Sequence, residues 1–428
     1  MATSSVFHHH FILLSTLLVL FSSSLPPSQS AVASQKELPK SGYITLPIKL
    51  DPTKHQYYTS LPIGTPPHNI NFAIDIQEKA LWYDCGPHYT SSSYKPIPCA
   101  TKQCPTKSCI DTCEGFPRKL PGCTNNTCAV DYFNIFDDSL FSSDLGEDLL
   151  YIPGVKIPRR FLSLCANSEL FQTPPLTGFA KGIGGALGLG RNTPLSLPIQ
   201  ISSTYNVIPK FTLCLPSSIK NSGILFIGGS PYHLINSLPN HVPFVTSAAS
   251  NEYYIDVKSV NIDGKAVKFA SKILRLDKLG IIGGTKFSTL RNFTVLHPSI
   301  YKPFVSDFVR HAKGMKMKSV KAVKPFGACF DGRSIGKKNG VLDVPRVDLV
   351  LDSKKGVSYE IDGHKSLIEV KKGVKCLAFV EGGKDDDKAG IVIGGYQMED
   401  RVFEFDLSTS ILSFGSSLLL HNATCSSN

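Results

Sequence analysis

The 428-residue chain is 42% hydrophobic and only 18% charged, with 34 Gly, 29 Pro and 12 Cys, and its net charge is +11. That balance excludes a disordered tail, a coiled coil and a collagen, leaves apolar mass for a large core, and disposes the surface toward polyanions. Gly and Pro recur every few residues and charge falls below the roughly 25% of ordinary domains, so the expected class is mostly β.

In chain order, residues 1–33 read as a cleaved secretory signal, with an apolar run from Phe11 to Phe21 and the small-residue site Ala31-Val32-Ala33. The run is too short to span a bilayer, and His8, His9 and His10 stand where Lys or Arg is usual. No later stretch reaches 18 apolar residues, so a soluble mature chain with no membrane partner is expected. It would enter an oxidising space, where its even set of cysteines predicts up to six disulfides. The sequons at Asn125, Asn292 and Asn422 are glycan acceptors on that route if exposed.

Cys99, Cys104, Cys109, Cys113, Cys123 and Cys128 crowd into 30 residues. Zinc ligation would fit the crowding, but the segment has no His and no paired Cys-x-x-Cys, which favours disulfides stapling a surface excursion. Beyond Asp131, short apolar runs such as Phe211–Leu215, Gly223–Gly229 and Tyr253–Val257 alternate with turn residues and predict strands. Ser299–Gly314 differs: Ile300, Phe304, Phe308 and Ala312 repeat at i+4, which predicts a helix stopped at Gly314. A weak long repeat also runs through the chain. Asp75 precedes Gly188 by 113 residues and Ser288 precedes Gly394 by 106, as in a duplicated lobe.

These residues resemble the pepsin-like aspartic proteases over residues 41–425. The resemblance rests on Tyr58-Thr-Ser-Leu-Pro-Ile-Gly-Thr-Pro-Pro67 and on the run from Phe72 through Asp75 to Trp82 and Cys85. It implies a bilobal fold: an N-terminal lobe over 34–215 with a Cys-rich insertion, and a C-terminal lobe over 216–428. Aspartic proteolysis needs two carboxylates about 3 Å apart sharing a proton, each in an Asp-Thr/Ser-Gly turn. The first turn here reads Asp75-Ile76-Gln77-Glu78, without the hydroxyl or the Gly. At the second, alignment back from Ser299-Ile300-Tyr301 places Ser288-Thr289-Leu290-Arg291. An alternative alignment puts Gly283 or Gly284 there, and Asp277, the nearest upstream acid, lacks the turn. The flap between Tyr132 and Leu145 has no Tyr-Gly pair, and Asn134 falls near the Tyr position. Asp75 and Ser288 are therefore read as vestigial, and the chain as no enzyme.

Degraded dyads of this kind are similar to those of the plant inhibitors of microbial xylanases and endoglucanases, with the related basic 7S globulins and extracellular dermal glycoproteins. Ser91-Ser-Ser-Tyr-Lys-Pro96, Gly284-Thr-Lys-Phe-Ser-Thr289 and Ile391-Val-Ile-Gly-Gly-Tyr-Gln-Met398 carry that likeness. It implies a secreted protein of the plant cell wall and apoplast, acting in defence without cofactor or metal, that plugs a glycoside hydrolase with two loops. One is Leu419–Cys425, with His421 and Asn422; the other follows Cys329 and holds Arg333, Lys337, Lys338 and Asn339, where endoglucanase inhibitors present an Arg. A basic probe would neutralise the carboxylate pair that a glycosidase needs. The likeness also implies the pairs Cys329–Cys376 and Cys214–Cys425, with Cys85 and Cys165 among the bonded cysteines. The other readings are a storage or peptide- or hormone-binding globulin, and an aspartic endopeptidase with an unrecognised second acid. A basic tract, Arg310, Lys313, Lys316, Lys318, Lys321 and Lys324, has no acid between Asp307 and Asp331. It reads first as a solvated basic face of one helix and strand; acidic wall polysaccharide fits it as a non-specific partner, and nucleic acid is not expected outside the cell.

Overall fold

A computed structural model of the chain describes residues 38–39, 41–86, 89–110, 126–170, 174–231, 234, 238–247, 250–338, 340–383 and 388–426. The expected signal (1–33), Cys113, Cys123, Asn125 and Asn339 lie outside the described residues.

Period-2 alternation sets the first strand: in Ile44–Asp51 the residues Ile44, Leu46, Ile48 and Leu50 are buried and those between them exposed. Its first half pairs antiparallel with Gly223–Ile227, and its last three residues pair with Gln56–Ile63. One strand thereby stitches two sheets. From Gly223–Ile227 the ladder continues through Lys210–Cys214, Val402–Asp406, Ile411–Phe414 and Asn240–Val245. This six-stranded base draws on both halves of the chain, and residue 215 falls between two of its adjacent strands. Its inner face is aromatic, with Phe211 stacked on Phe405 at 4.6 Å.

Each lobe rises from that base as a sheet with the same central device. In the first, His68–Asp75 runs parallel to Gly185–Gly188, with Asp75 opposite Gly188. In the second, Thr285–Phe287 runs parallel to Ile391–Ile393, with Phe287 opposite Ile393. A long hairpin, Thr127–Asn134 with Ser139–Leu150, extends from the first lobe as a flap.

The predicted helix spans Pro298–Gly314, with Ile300, Tyr301, Phe304, Phe308 and Ala312 buried. His297 caps it, Nδ1 accepting the Ser299 N–H at 3.2 Å, and Pro298 occupies the first turn, where its missing donor costs nothing. Gly314 is the last helical residue, and the left-handed turn falls two residues later at Lys316 (φ 64°). Burying the two phenylalanines contributes about 2–3 kcal/mol each. Two of the predicted strands appear at nearly full length, but the run at Tyr253 shortens to Tyr254–Ile255.

Five disulfides join described residues: Cys85–Cys165, Cys99–Cys109, Cys104–Cys128, Cys214–Cys425 and Cys329–Cys376. No described cysteine is free. The last two are the pairs that the family resemblance implies, and two others staple the described part of the excursion. Such bonds fit an oxidising compartment. Among the described residues no helix is long and apolar enough to cross a membrane.

Candidate functional site

The two central turns meet at the lobe junction. Glycine is required at one position of each: a Cβ on Gly188 would lie 2.2 Å from the Ala80 carbonyl oxygen, and one on Gly394 would lie 2.3 Å from the Phe293 carbonyl carbon. The bonds beyond them differ: Leu189 N–H donates to Asp75 O at 2.8 Å, whereas its counterpart Gly395 N–H donates to Arg291 O at 2.8 Å and Ser288 is held by its own N–H donating to Ile393 O at 2.9 Å. Ser288 therefore continues its strand where Asp75 ends the other. Thr289 clamps the turns together, its hydroxyl donating to Ile74 O at 2.5 Å and accepting Ile76 N–H at 3.3 Å. The reciprocal clamp is absent because residue 76 is Ile.

Above the turns lies a cleft of about 450 Å³, lined from one lobe by Asp75, Glu78 and the flap residue Phe133, and from the other by Glu252, Lys286 and Arg291. Asp75 is 5% exposed, and its Oδ1 accepts the N–H of Gln77 at 2.8 Å and of Glu78 at 3.2 Å. Burial pushes its carboxyl up to about 6 against those two bonds, and Glu252 adds a smaller push in the same direction. Glu78 is pushed to about 7, first by burial and then by Asp75. Sequence reasoning passed over Glu78 and Glu252 as cleft acids. Glu78, three residues from Asp75, belongs to the same turn and accepts Lys79 N–H at 2.7 Å. Glu252 is engaged across the cleft: Gln77 Nε2 donates to its Oε1 at 2.6 Å, Lys286 Nζ lies 2.8 Å from the same oxygen, and Tyr254 OH donates to its Oε2 at 2.9 Å. The register of Tyr254 opposite Lys286 brings Lys286 to Glu252, 34 residues away in sequence, and the lobe junction brings Gln77 to it.

The remaining sequence candidates fall elsewhere. Asp277 is half-buried, caps its own turn by accepting Ile281 N–H at 2.7 Å and Ile282 N–H at 3.0 Å, and does not line the cleft. Gly283 and Gly284 precede the strand that ends at Phe287. Asn134 is a buried pin, its Nδ2 donating to Pro175 O and Thr177 O while its Oδ1 accepts Phe136 N–H. Tyr132 stacks on Trp82 at 4.7 Å. A second interlobe contact escaped sequence reasoning altogether: buried Glu399 takes His55 Nε2 at 2.7 Å, Tyr57 OH at 2.9 Å and Lys365 Nζ at 2.5 Å. Burial raises that carboxyl, but Lys365 and His55 outweigh it, and the net shift is downward.

The two loops named from the sequence both belong to the second lobe. His421 ends the turn Leu418–His421, exposed, with Nε2 3.3 Å from Ser416 Oγ. Asn422 follows, exposed and left-handed (φ 54°), and Cys425 ties the segment to Cys214. The other loop forms a hairpin, Gly336–Lys338 with Val341–Asp343, in which Lys337 and Lys338 are exposed. Arg333 is not a free probe, because Asp331 holds its Nε at 3.1 Å and its Nη2 at 2.9 Å. The loops approach through Asp362 and Gly363: a Cβ on Gly363 would meet the Leu342 carbonyl, and Asp362 shares a polar pocket of about 200 Å³ with Leu420. Asn292, the third sequon, is half-buried and donates Nδ2 to Lys54 O at 2.9 Å.

Two lobes on a shared six-stranded base, with paired central turns under a flap, define a pepsin-type protein. Residues 57–229 match the family model described as xylanase inhibitor N-terminal and residues 252–416 the one described as xylanase inhibitor C-terminal, so the chain belongs to the xylanase-inhibitor-type family. It is 34% identical to the probable aspartic proteinase GIP2 of Nicotiana benthamiana over 89% of this chain and 90% of that one. It is likewise 34% identical to gamma conglutin 1 of Prunus dulcis, covering 93% and 92% of the two. Among solved structures, EDGP superposes with a TM-score of 0.81 at 33% identity, over 91% of this chain and 98% of that one. Soybean basic 7S globulin gives 0.77 at 29%, over 90% and 98%. Among the described residues no cluster of three His, Cys, Asp or Glu is placed to hold a metal ion.

Proposed function

We propose that the chain is a secreted, catalytically inert pepsin-like protein that inhibits microbial cell-wall glycoside hydrolases, a xylanase or a xyloglucan-type endoglucanase, by loop insertion. The observation that carries inertness is Ser288 in the register position of Asp75. A serine cannot share a dyad proton, Glu78 lies in Asp75's own turn, and Glu252 is taken up by Lys286 and Gln77. Neither of these acids comes from the opposite turn, where the partner carboxylate of an aspartic protease must stand.

Inhibition is supported by family membership and by the exposure of basic side chains on both loops. His421, Lys337 and Lys338 are exposed on covalently or hairpin-constrained segments, so little ordering entropy opposes their insertion. A charge-assisted bond from such a group to a hydrolase carboxylate contributes about 1.5–3 kcal/mol. A glycan on exposed Asn422 would stand beside His421 and shift the burden to the lysine hairpin. Titration into a panel of fungal hydrolases tests the reading: stoichiometric loss of sugar release, weakened in His421→Ala or Lys338→Ala, is expected, and a panel left untouched overturns it.

A second reading, a globulin that holds a peptide or hormone in the vestigial cleft, is favoured by the open volume above Asp75, lined by both acidic and basic side chains. Peptide retention that Asp75→Asn abolishes while hydrolases go unaffected would select it. Casein cleavage at pH 3–5 that pepstatin blocks would instead select a residual endopeptidase.

A further inference from the structure

Charge on this chain is concentrated. Residues 315–338 and 367–375 contain ten Lys and Arg against two Asp and Glu, a surplus of eight out of the chain's net +11. Backbone pairing brings these two stretches together. The segment Ser319–Val320 pairs with Cys329–Asp331, which pairs with Val374–Leu377, and that strand closes a tight hairpin with Leu367–Lys371. Around the rim, Asp331 N–H donates to Lys318 O at 2.9 Å, Lys318 N–H to Ser334 Oγ at 2.8 Å, and Gly332 N–H to Gly373 O at 2.8 Å. Lys316, Lys318, Lys371 and Lys372 thus stand exposed around one sheet edge, with Lys321 and Lys324 continuing the row. The two acids are spent locally, Asp331 on Arg333 and Glu369 on Lys375. Among the described residues the six lysines have no ion-pair partner, and like charges held this close gain by accepting a polyanion.

The chemistry of the face selects the polyanion. Its unpaired cations are all lysines, compact charges suited to single dispersed carboxylates, and the one arginine fork that would grip a phosphate is closed by Asp331. No aromatic side chain is exposed on it, since Phe326 and Phe330 are buried, so it has no platform for nucleic-acid bases. The disulfides fit an oxidising compartment, away from the nucleic acids of cytosol and nucleus.

We infer that this sheet edge is a binding face for a linear polycarboxylate polysaccharide, a de-esterified polyuronate chain laid along Lys316, Lys318, Lys371 and Lys372. The face is separate from the cleft, and these four lysines lie outside the loops assigned to hydrolase inhibition. Binding is electrostatic and falls steeply with salt as counterions return.

The experiment uses the full chain and polygalacturonate of defined length, read by titration at several salt concentrations. Wild type is expected to bind at low salt with a steep inverse salt dependence and to ignore fully methyl-esterified pectin. The variant Lys316→Glu/Lys318→Glu/Lys371→Glu/Lys372→Glu should lose at least tenfold in affinity and show a shallower salt slope. A control of equal net charge, Lys54→Glu/Lys107→Glu/Lys220→Glu/Lys354→Glu, reverses exposed lysines away from the face and should stay within about threefold of wild type. Equal loss in both variants would overturn the inference, because net charge alone would then explain binding. So would tighter binding of duplex DNA or polyphosphate than of polygalacturonate at matched charge, or undiminished binding of esterified pectin. Thermal unfolding of both variants at wild-type temperature shows that lost affinity is not lost fold.

Discussion

The two central turns, one ending at Asp75 and the other at Ser288, share a backbone and differ in chemistry. Both sit at the end of a strand paired in parallel with a glycine-bearing partner, and both press against a neighbouring chain segment that leaves no room for a Cβ at Gly188 or Gly394. Only the first carries a carboxylate, and only the second carries the hydroxyl that clamps the pair. Close approach is thus held by glycines, ladder bonds and one threonine, none of which needs an acid dyad. A pepsin-type body can shed proteolysis and keep its shape.

The largest expected effect tests whether the framework is as symmetric as it looks. Gly188→Ala and Gly394→Ala each force a methyl against backbone that has no flexible end to yield, so each should cost about 3 kcal/mol or more in denaturant unfolding. A loss below about 0.5 kcal/mol in either would mean that its turn relaxes freely, and the equivalence would fail.

Next in size is the acid that only one turn keeps. Asp75 has a folded-state value near 6, above that of the unfolded chain, and Glu78 is raised to about 7. Between the unfolded and folded values the folded form binds more protons, so the contribution of these two groups is fully present below about pH 4 and is lost as pH rises toward 7. Asp75→Asn keeps an oxygen to accept the Gln77 and Glu78 N–H groups and removes the titrating charge. It should therefore flatten that decline by about 2 kcal/mol, measured by urea unfolding at pH 4 and pH 7. An unchanged pH profile would show that Asp75 is well solvated.

The clamp is a smaller term. Thr289→Val leaves Ile74 O and Ile76 N–H buried without their partner, an expected loss of about 1–2 kcal/mol. Because Ile76 offers no reciprocal bond, exchange of the amides at 74–76 should quicken in the same variant. Protection identical to wild type would locate the lobe contact elsewhere, with the Glu399 network the first alternative.

What the sequence disclosed follows from where each signal is stored. Local periodicity wrote out the helix at 298–314 and the strands around Phe211 and Gly223. The spacing of Asp75 to Gly188 and of Ser288 to Gly394 foreshadowed the duplicated lobes, because each marks the end of a strand paired in parallel with the segment that carries the glycine. Contacts spanning the fold left no such trace. Tyr57 and Glu399 are 342 residues apart, Gln77 and Glu252 are 175 apart, and each is an ordinary polar residue in its local context. Arg333 reads as a free cation until Asp331 is seen to close its fork, and Asn134 reads as a flap residue until its amide is found holding 175 and 177. The rim that joins Lys318 to Lys372 is likewise a product of sheet order, which composition does not encode.

The smallest expected effect is the most direct challenge to the comparison. Ser288→Asp restores an acid at the second turn, and if the turns differed in that one group, pepstatin-sensitive cleavage of casein at pH 3–5 should appear. None is expected. A working dyad shares one proton between carboxylates held about 3 Å apart. The first turn lacks the small, hydroxyl-bearing frame for that: Ile76 has no hydroxyl to donate, and Gln77 spans to Glu252 where the family has glycine. Glu78 is already raised by burial and then by Asp75, so the new acid would be the third in a poorly solvated cluster. The variant should instead unfold more readily as pH rises from 4 to 7, having gained one more buried carboxyl to ionise. Appreciable turnover by this single variant would show that the two turns differed by one residue after all, and that Ile76 and Gln77 are incidental to the lost chemistry.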